Sequence, residues 1–256
     1  MSWQHAALAA YCEPDPHAKA AAVRALADLP IAAPDRVALP PQPGRPACPR
    51  LVHPGAVARR KLGSPAGRVA LVHAVAHIEF NAINLALDAA LRFSGLPDAF
   101  YVDWVSVAVD EARHFDMLAD RLQQLGAAYG DLDAHNGLWE MAEKTADDCL
   151  QRMALVPRVL EARGLDVTPG MIERLQAVGD QATVACLEVI LREEVRHVAI
   201  GTRWFRHLCA QRGLEADRTF FDLLAEHGVT VSSRQFNQPA RSRAGFSDRE
   251  LAGLLA

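Results

Sequence analysis

One five-residue pattern occurs twice in this chain and constrains its fold more than any other feature. It reads acid, Glu, any residue, Arg, His, at residues 110–114 (DEARH) and 193–197 (EEVRH). Residues three apart on an α-helix lie on one face, so the Glu and His of each copy can reach the same metal ion. By chance, about one chain in two of this composition would contain a Glu-x-x-His. The longer five-residue pattern would occur by chance in only roughly one such chain in a hundred or fewer. Its repetition predicts two metal-ligating helices.

A single glutamate precedes each copy at nearly the same distance. Glu79 lies 32 residues before Glu111, and Glu161 lies 33 residues before Glu194. Bundles that hold two iron or manganese ions take one Glu from each of two helices and a Glu-x-x-His from each of the other two. The spacing therefore predicts a doubled helical hairpin with six metal ligands: Glu79, Glu111, His114, Glu161, Glu194 and His197.

The same pairs also occur on solvated helix faces, where each adds only a few tenths of a kcal/mol. Here the flanking residues are apolar on most faces, which is typical of buried helices. Buried carboxylates are costly without a counter-charge, and metal ions supply one. Four charged neighbours are predicted to orient the imidazoles and balance charge around the ligands: Asp110, Arg113, Glu193 and Arg196.

Four stretches resemble a known bacterial family: HAVAHIEFNAINLALD from His73, DEARHF from Asp110, LEARGLDVTP from Leu160 and EEVRH from Glu193. The family is known as domain of unknown function 455 and is grouped with the ferritin-like di-iron superfamily. The resemblance covers most of the chain, from a proline-rich arm to the end. It implies a ferritin-like fold and a di-metal site at the six residues named above, and it implies no particular substrate.

The expected fold class is all-α, because Ala and Leu dominate and alternating strand-like runs are missing. We expect N-terminal helices and a proline-rich arm in residues 1–63. A ferritin-like four-helix bundle should follow in residues 64–212, and a C-terminal helical extension in residues 213–256. The arm contains eight of the fifteen prolines. It is predicted to pack through Leu39, Leu51 and Val52, the alternative being a disordered linker.

Four long helices are predicted from cap residues and glycine stops. They cover residues 64–93, 98–125 and 137–164, and a fourth helix that is capped by Thr168-Pro169, is interrupted at Gly179-Asp180 and runs to about Gln211. Pro157 should bend the third helix near Glu161. The link after the second helix is short for a ferritin-like crossover, so a simple up-down-up-down topology stays open.

Several other side chains are expected to serve the fold. His73 and His77 are interpreted as core or supporting groups beside the ligands, because His77 is two residues from Glu79 and points the opposite way. The three tyrosines lie more than a turn from any predicted ligand in the sequence. The arginines of the extension are expected to form a solvated or self-packing tail: Arg234, Arg241, Arg243 and Arg249.

Composition excludes several classes of function. The net charge of -4 favours neither nucleic acid nor anionic membranes as partners. The five cysteines are scattered and form no C-x-x-C pair, which fits reduced thiols and disfavours a zinc or iron–sulfur site. A basic-then-apolar leader and an apolar run of about twenty residues are both missing, so we expect a cytoplasmic location.

The ligand set indicates the chemistry. Carboxylate-rich ligation favours two iron ions, with manganese or a mixed Fe/Mn pair as alternatives. We expect an enzyme that uses dioxygen to hydroxylate or oxidise an unidentified small organic substrate, with an external electron donor. The alternatives are an iron-handling ferroxidase or peroxide-scavenging protein, and a non-catalytic helical protein with a structural metal. A homodimer is compatible with each.

Overall fold

The computed structural model describes residues 2–35, 37–57, 60–231 and 234–255. Across these residues the chain is helical and has no strand beyond one isolated bridge, between Leu51 and Ala134. The predicted all-α class is therefore confirmed. The chain divides into two compact units, residues 1–140 and 141–256, called here the N-terminal and C-terminal units. The predicted boundaries at residues 63 and 212 stay predictions.

The N-terminal unit is built on a long helical hairpin. Ser64 caps the first arm of the hairpin by accepting a hydrogen bond from the Gly67 backbone, and Pro65 follows at the first helical position. The two long helices confirm the predicted ranges 64–93 and 98–125 to within a residue. The unit contains helices α1 (Trp3–Cys12), α2 (Pro16–Arg24), α3 (Pro65–Arg92) and α4 (Asp98–Gln124), and α5 (Gly137–Lys144) begins at its end.

Helix α3 is apolar on most faces. By length and composition it is the one helix of the described residues that could span a membrane, but 67% of its most apolar window is buried within the protein. A core helix passes the same test, so this observation is weak support for a membrane span.

Backbone hydrogen bonds hold the proline-rich arm to the N-terminal unit. Gly44 donates to the Tyr11 carbonyl at 2.8 Å, and Val52 donates to the Ala134 carbonyl at 2.8 Å. A side chain at Gly44 would collide with the Cys12 carbonyl, so only glycine allows this approach. Leu51 is 42% exposed. Backbone hydrogen bonds therefore hold the arm, but the prediction that Leu51 anchors it is wrong.

Lys19 of α2 is fully buried beside α3. Its ammonium donates to the Tyr11 carbonyl at 2.9 Å and to Asn84 Oδ1 at 2.5 Å, and it lies 5.5 Å from the centre of the Phe80 ring. Burial and then the nearby charge of Arg45 lower the pKa of Lys19 to about 7. The folded chain therefore holds this amine partly deprotonated near neutral pH.

We expect Lys19→Met to stabilise the protein at pH 7 and to remove part of its pH dependence. In the unfolded chain Lys19 keeps its proton up to about its ordinary pKa of 10.5, but in the folded chain only up to about 7. Between these values the unfolded state binds more protons, so this group makes wild-type stability rise with pH by up to about 1.4 kcal/mol per pH unit. Urea denaturation at pH 7, 8, 9 and 10 measures the difference. Lys144→Met, at an exposed position of α5, is the control. Parallel curves for wild type and Lys19→Met would contradict the expectation.

The C-terminal unit contains a second helical hairpin, whose first arm is interrupted. The predicted helix 137–164 is wrong as a continuous element, because turns at residues 145–148 separate α5 from α6 and the helix then widens into a π-helix, called here the π segment. Pro157, which lacks a backbone N–H, lies in this segment. The unit contains α6 (Cys149–Leu155), the π segment (Val156–Glu161), α7 (Ala162–Ala177), α8 (Gln181–Gln211), α9 (Ala216–Glu226), α10 (Gln238–Arg243) and α11 (Asp248–Leu255).

Thr168 and Pro169 do not cap a new helix. They lie inside α7, so the predicted start of the fourth helix is wrong, and that helix begins after the cap residue Asp180. A proline inside a helix leaves the carbonyl four residues earlier without its usual donor. Here the side-chain amide of Asn237 donates to that carbonyl, on Leu165, at 3.0 Å. A side chain 68 residues away thus allows the helix to continue through Pro169.

The predicted arginine tail is only partly at the surface. Arg241 is fully buried, and its guanidinium binds the Asp166 carboxylate through Nε at 3.1 Å and Nη2 at 2.7 Å. It lies on α10, which begins with the cap residue Asn237 and the first-turn proline Pro239. Arg241 thus packs inside the C-terminal unit, as the prediction of a self-packing tail allowed.

Candidate metal centre

The α3–α4 hairpin places Glu79 and Glu111 level with each other. Each lies 16 residues from Gly95, which turns the chain with a φ of +79°. Residues equidistant from the turn of two antiparallel helices lie side by side, and His114 lies one turn beyond Glu111 on the same face. Hairpin length and helix period therefore bring three predicted ligands to one point.

The three side chains form a buried cluster. His114 Nδ1 lies 3.2 Å from Glu79 Oε2 and 3.2 Å from Glu111 Oε2. Glu79 is 3% exposed, and Glu111 and His114 are fully buried. The ligand atoms of all three lie within 4.8 Å of one another. This arrangement joins residues 35 positions apart in the sequence.

Two acids in this environment carry more negative charge than the protein can stabilise alone. Burial raises the pKa of Glu79 well above its usual value, the charge of Glu111 raises it further, and His114 opposes this through its hydrogen bond. Burial by itself lowers the pKa of His114, but hydrogen bonds and charge from Glu111 and Glu79 outweigh it and raise the pKa to about 11. One imidazolium therefore faces two carboxyl groups.

The donor set fits a metal ion. Two carboxylates and one imidazole nitrogen are ligands that iron and manganese accept, and a divalent cation would replace the shared proton as the counter-charge. Phe80 and Phe115 follow Glu79 and His114 in the sequence and lie against each other, with ring centres 5.7 Å apart. The cluster itself is buried from water, which strengthens the electrostatic attraction for a cation.

The C-terminal unit holds a second pair of predicted ligands. Glu194 Oε1 lies 3.3 Å from His197 Nδ1 on α8, and both residues are buried. The repeated motif thus has the same local geometry in both copies, as its helical spacing predicted.

Glu161 lies at the end of the π segment, in the other arm of this hairpin. Pro157 and Gly201 are each 22 residues from the turn at Gly179 and lie against each other, since a Cβ on Gly201 would be 2.3 Å from Pro157 Cγ. Four residues further along each arm, Glu161 lies level with His197 and on the face that contacts α8. Its Oε2 atom is buried.

The charged neighbours of the motifs lie further out. Arg113 is 47% exposed and pairs with Asp110 at 2.8 Å, and Arg192 lies 3.6 Å from Glu193. Arg196 is exposed.

Tyr129 is an aromatic neighbour that sequence reasoning missed. Its ring packs against Phe80 and Phe115, with ring centres 5.6 and 5.1 Å away, and its hydroxyl lies 2.9 Å from His77 Nδ1. His73 Nε2 accepts from the Gly130 backbone at 3.0 Å. The two histidines therefore tie α3 to the loop after α4, which supports their interpretation as core or supporting groups. The contact between His77 and Tyr129 joins residues 52 positions apart, so no local sequence pattern predicts it.

Fold and site define an all-helical protein with buried Glu and His residues, grouped on its helical hairpins, that could hold metal. The chain belongs to the family described as "Protein of unknown function (DUF455)", whose profile matches residues 12–252. The predicted family membership is thereby confirmed. The chain is 48% identical over 210 residues to an "Uncharacterized protein" of Haemophilus influenzae (strain ATCC 51907 / DSM 11121 / KW20 / Rd). The aligned region covers 79% of this chain and 73% of that relative. No solved structure matches the chain.

Proposed function

We propose that this chain is a ferritin-like protein with two iron ions, or manganese or a mixed pair, that oxidises an organic substrate with dioxygen. The observation that carries the proposal is the buried cluster of Glu79, Glu111 and His114, with both carboxylates 3.2 Å from one imidazole nitrogen. The second motif has the same internal geometry. Buried acids in this number are stabilised by cations.

Each ligand then has a defined role. Glu111 and Glu194 would hold the ions, because each occupies the same position in its motif. Glu79 and Glu161 would each supply a further carboxylate ligand, and His114 and His197 would each supply a nitrogen ligand. When bound, two ferrous ions of this kind supply the electrons for dioxygen reduction. The chain would hold the ions, exclude water by the burial of the cluster, and admit the substrate.

Metal and oxygen measurements test the function. The purified protein, loaded with Fe²⁺ without oxygen, should bind two ions per chain and then consume dioxygen. Glu194→Ala should lower the bound metal and the oxygen uptake, whereas Glu188→Ala, at an exposed position of the same helix, should change neither. Equal metal in wild type and Glu194→Ala would show that the ligand assignment is wrong.

The same measurements separate the alternatives. Bound metal without oxygen uptake indicates a structural site. Oxygen uptake that stops once the loaded iron is oxidised, even with an electron donor present, indicates a ferroxidase. The size of the oligomer in solution distinguishes a storage cage from a small enzyme or homodimer. A hydroxylase should sustain oxygen uptake only with an external electron donor, because each cycle consumes electrons.

A further inference from the structure

Arg158 joins the π segment to the C-terminal helix. The residue lies three positions before Glu161 and is fully buried, and so is its partner Glu250 on α11. Arg158 Nη2 donates to Glu250 Oε1 at 2.5 Å, and Arg158 Nε donates to Thr202 Oγ1 at 3.3 Å. Charge-assisted hydrogen bonds have a defined geometry, and breaking a buried ion pair is costly because it leaves a charge buried without its partner.

Three aromatic rings enclose the same guanidinium. Its central carbon lies 4.5 Å from the ring centre of Phe205, 4.1 Å from that of Phe220 and 4.6 Å from that of Phe246. These residues come from α8, α9 and the turn before α11. Cation–π attraction in a desolvated cage adds to the ion pair. Arg158 is therefore fixed by elements on three sides.

Glu250 also caps the start of α11. Its Oε2 accepts from the Ser247 backbone at 2.9 Å, while its own backbone donates to Ser247 Oγ at 3.0 Å, which forms a capping box. One carboxylate oxygen thus closes the helix cap, and the other holds Arg158. The start of α11 and the position of the π segment are coupled through one side chain.

The π segment needs such a restraint. A π-helix is an energetically poor backbone geometry that persists where side-chain contacts hold it, and it is frequent at functional sites. Here it carries Glu161 at its last residue, on the face towards α8. A shift of the segment by one hydrogen-bond register would rotate Glu161 away from the level of His197.

We infer that Arg158 and Glu250 are positioning residues: the C-terminal helix clamps the π segment and so fixes Glu161 as a metal ligand. The ligand role rests on the proposed function, whereas the clamp can be tested without metal. The clamp gives the C-terminal extension a part in the metal centre although it supplies no ligand.

Glu250→Gln is the decisive variant, because glutamine still closes a capping box but cannot neutralise the Arg158 guanidinium. Ser247→Ala is the matched control, since it weakens the cap and leaves the Arg158–Glu250 pair intact. The first readout is hydrogen–deuterium exchange of the metal-free full chain. Backbone amides of residues 158–162 should exchange about tenfold faster or more in Glu250→Gln, and at the wild-type rate in Ser247→Ala. Unchanged exchange in Glu250→Gln would overturn the clamp.

The second readout is the binding of Co²⁺ alone, which equilibrium dialysis and visible absorption measure. Wild type and Ser247→Ala should bind two ions, and Glu250→Gln should bind one of the two about tenfold or more weakly. Faster exchange with unchanged Co²⁺ affinity would overturn the positioning of Glu161 and leave the clamp. Wild type that binds no metal would overturn the proposed function, while the exchange readout still decides the clamp.

If Glu250→Gln does not fold, Thr202→Val removes only the hydrogen bond to Arg158 Nε and should raise the same exchange rates by a smaller factor. Wild-type exchange rates in Thr202→Val would then overturn the clamp.

Discussion

Glu111→Gln should abolish tight metal binding without lowering the stability of the metal-free protein. Glu111 is fully buried in the first cluster, and in the proposed function it is a metal ligand. Burial, and then the charge of Glu111, raise the pKa of Glu79 well above its usual value, although the hydrogen bond from His114 opposes this. A neutral amide at residue 111 removes that charge and leaves one carboxylate paired with His114.

Urea denaturation with and without metal measures both effects. In chelator, the free energy of unfolding of Glu111→Gln should equal or exceed that of wild type. With metal at 100 times its dissociation constant, wild type should gain about 2.7 kcal/mol for each ion bound and the variant nothing. Asp120→Asn, at an exposed position of α4, is the control and should behave as wild type. A metal-dependent gain in Glu111→Gln equal to that of wild type would contradict its role as a ligand.

The first cluster could be predicted because everything that builds it is local or periodic. Helix period puts Glu111 and His114 on one face, and the distance to the glycine turn puts Glu79 opposite. The limits of α3 and α4 follow from Ser64, Pro65 and the Gly95 turn. None of these steps requires knowledge of a distant contact.

The second hairpin was harder to predict because contacts with side chains distant in the sequence override the local signals for where its helices begin. Thr168-Pro169 has the pattern of a helix start, yet Asn237 supplies the missing hydrogen bond and the helix continues. Arg241 appears as one charge among several in a polar tail, yet its partner is Asp166, 75 residues earlier. Such pairs have no local sequence signal, whereas the capping box at Ser247 and Glu250 does have one.

The same limit applies to the restraint on Glu161. Pro157 predicted a bend in the right place, because its missing N–H is a local property. The widening into a π-helix depends on the close approach of α8 and on the cage around Arg158, which residues up to 92 positions away provide. Sequence can therefore locate the irregular turn but not the contacts that stabilise it.

Gly201→Ala should be strongly destabilising although alanine is the better helix former. The added Cβ would lie 2.3 Å from Pro157 Cγ and 2.4 Å from Pro157 Cβ, distances at which the two helices must separate. Overpacking of this kind costs up to about 3 kcal/mol, and the gain in helix propensity returns about 1 kcal/mol, so we expect a net loss of about 2 kcal/mol. The proline ring is rigid and belongs to the segment that carries Glu161, so the strain falls on this proposed ligand.

Gly164→Ala is the matched control, because it lies in α7 of the same hairpin and a Cβ there meets no atom within 4 Å. This variant should be stabilised by up to about 1 kcal/mol. Urea denaturation of both metal-free proteins gives the two free energies, and Co²⁺ binding shows whether separation of the helices also weakens the second ion. A Gly201→Ala protein as stable as Gly164→Ala would show that α8 and the π segment do not approach as closely as the fold requires. Loss of stability with unchanged Co²⁺ affinity would instead show that metal binding does not depend on the position of Glu161, and its assignment as a ligand would then be wrong.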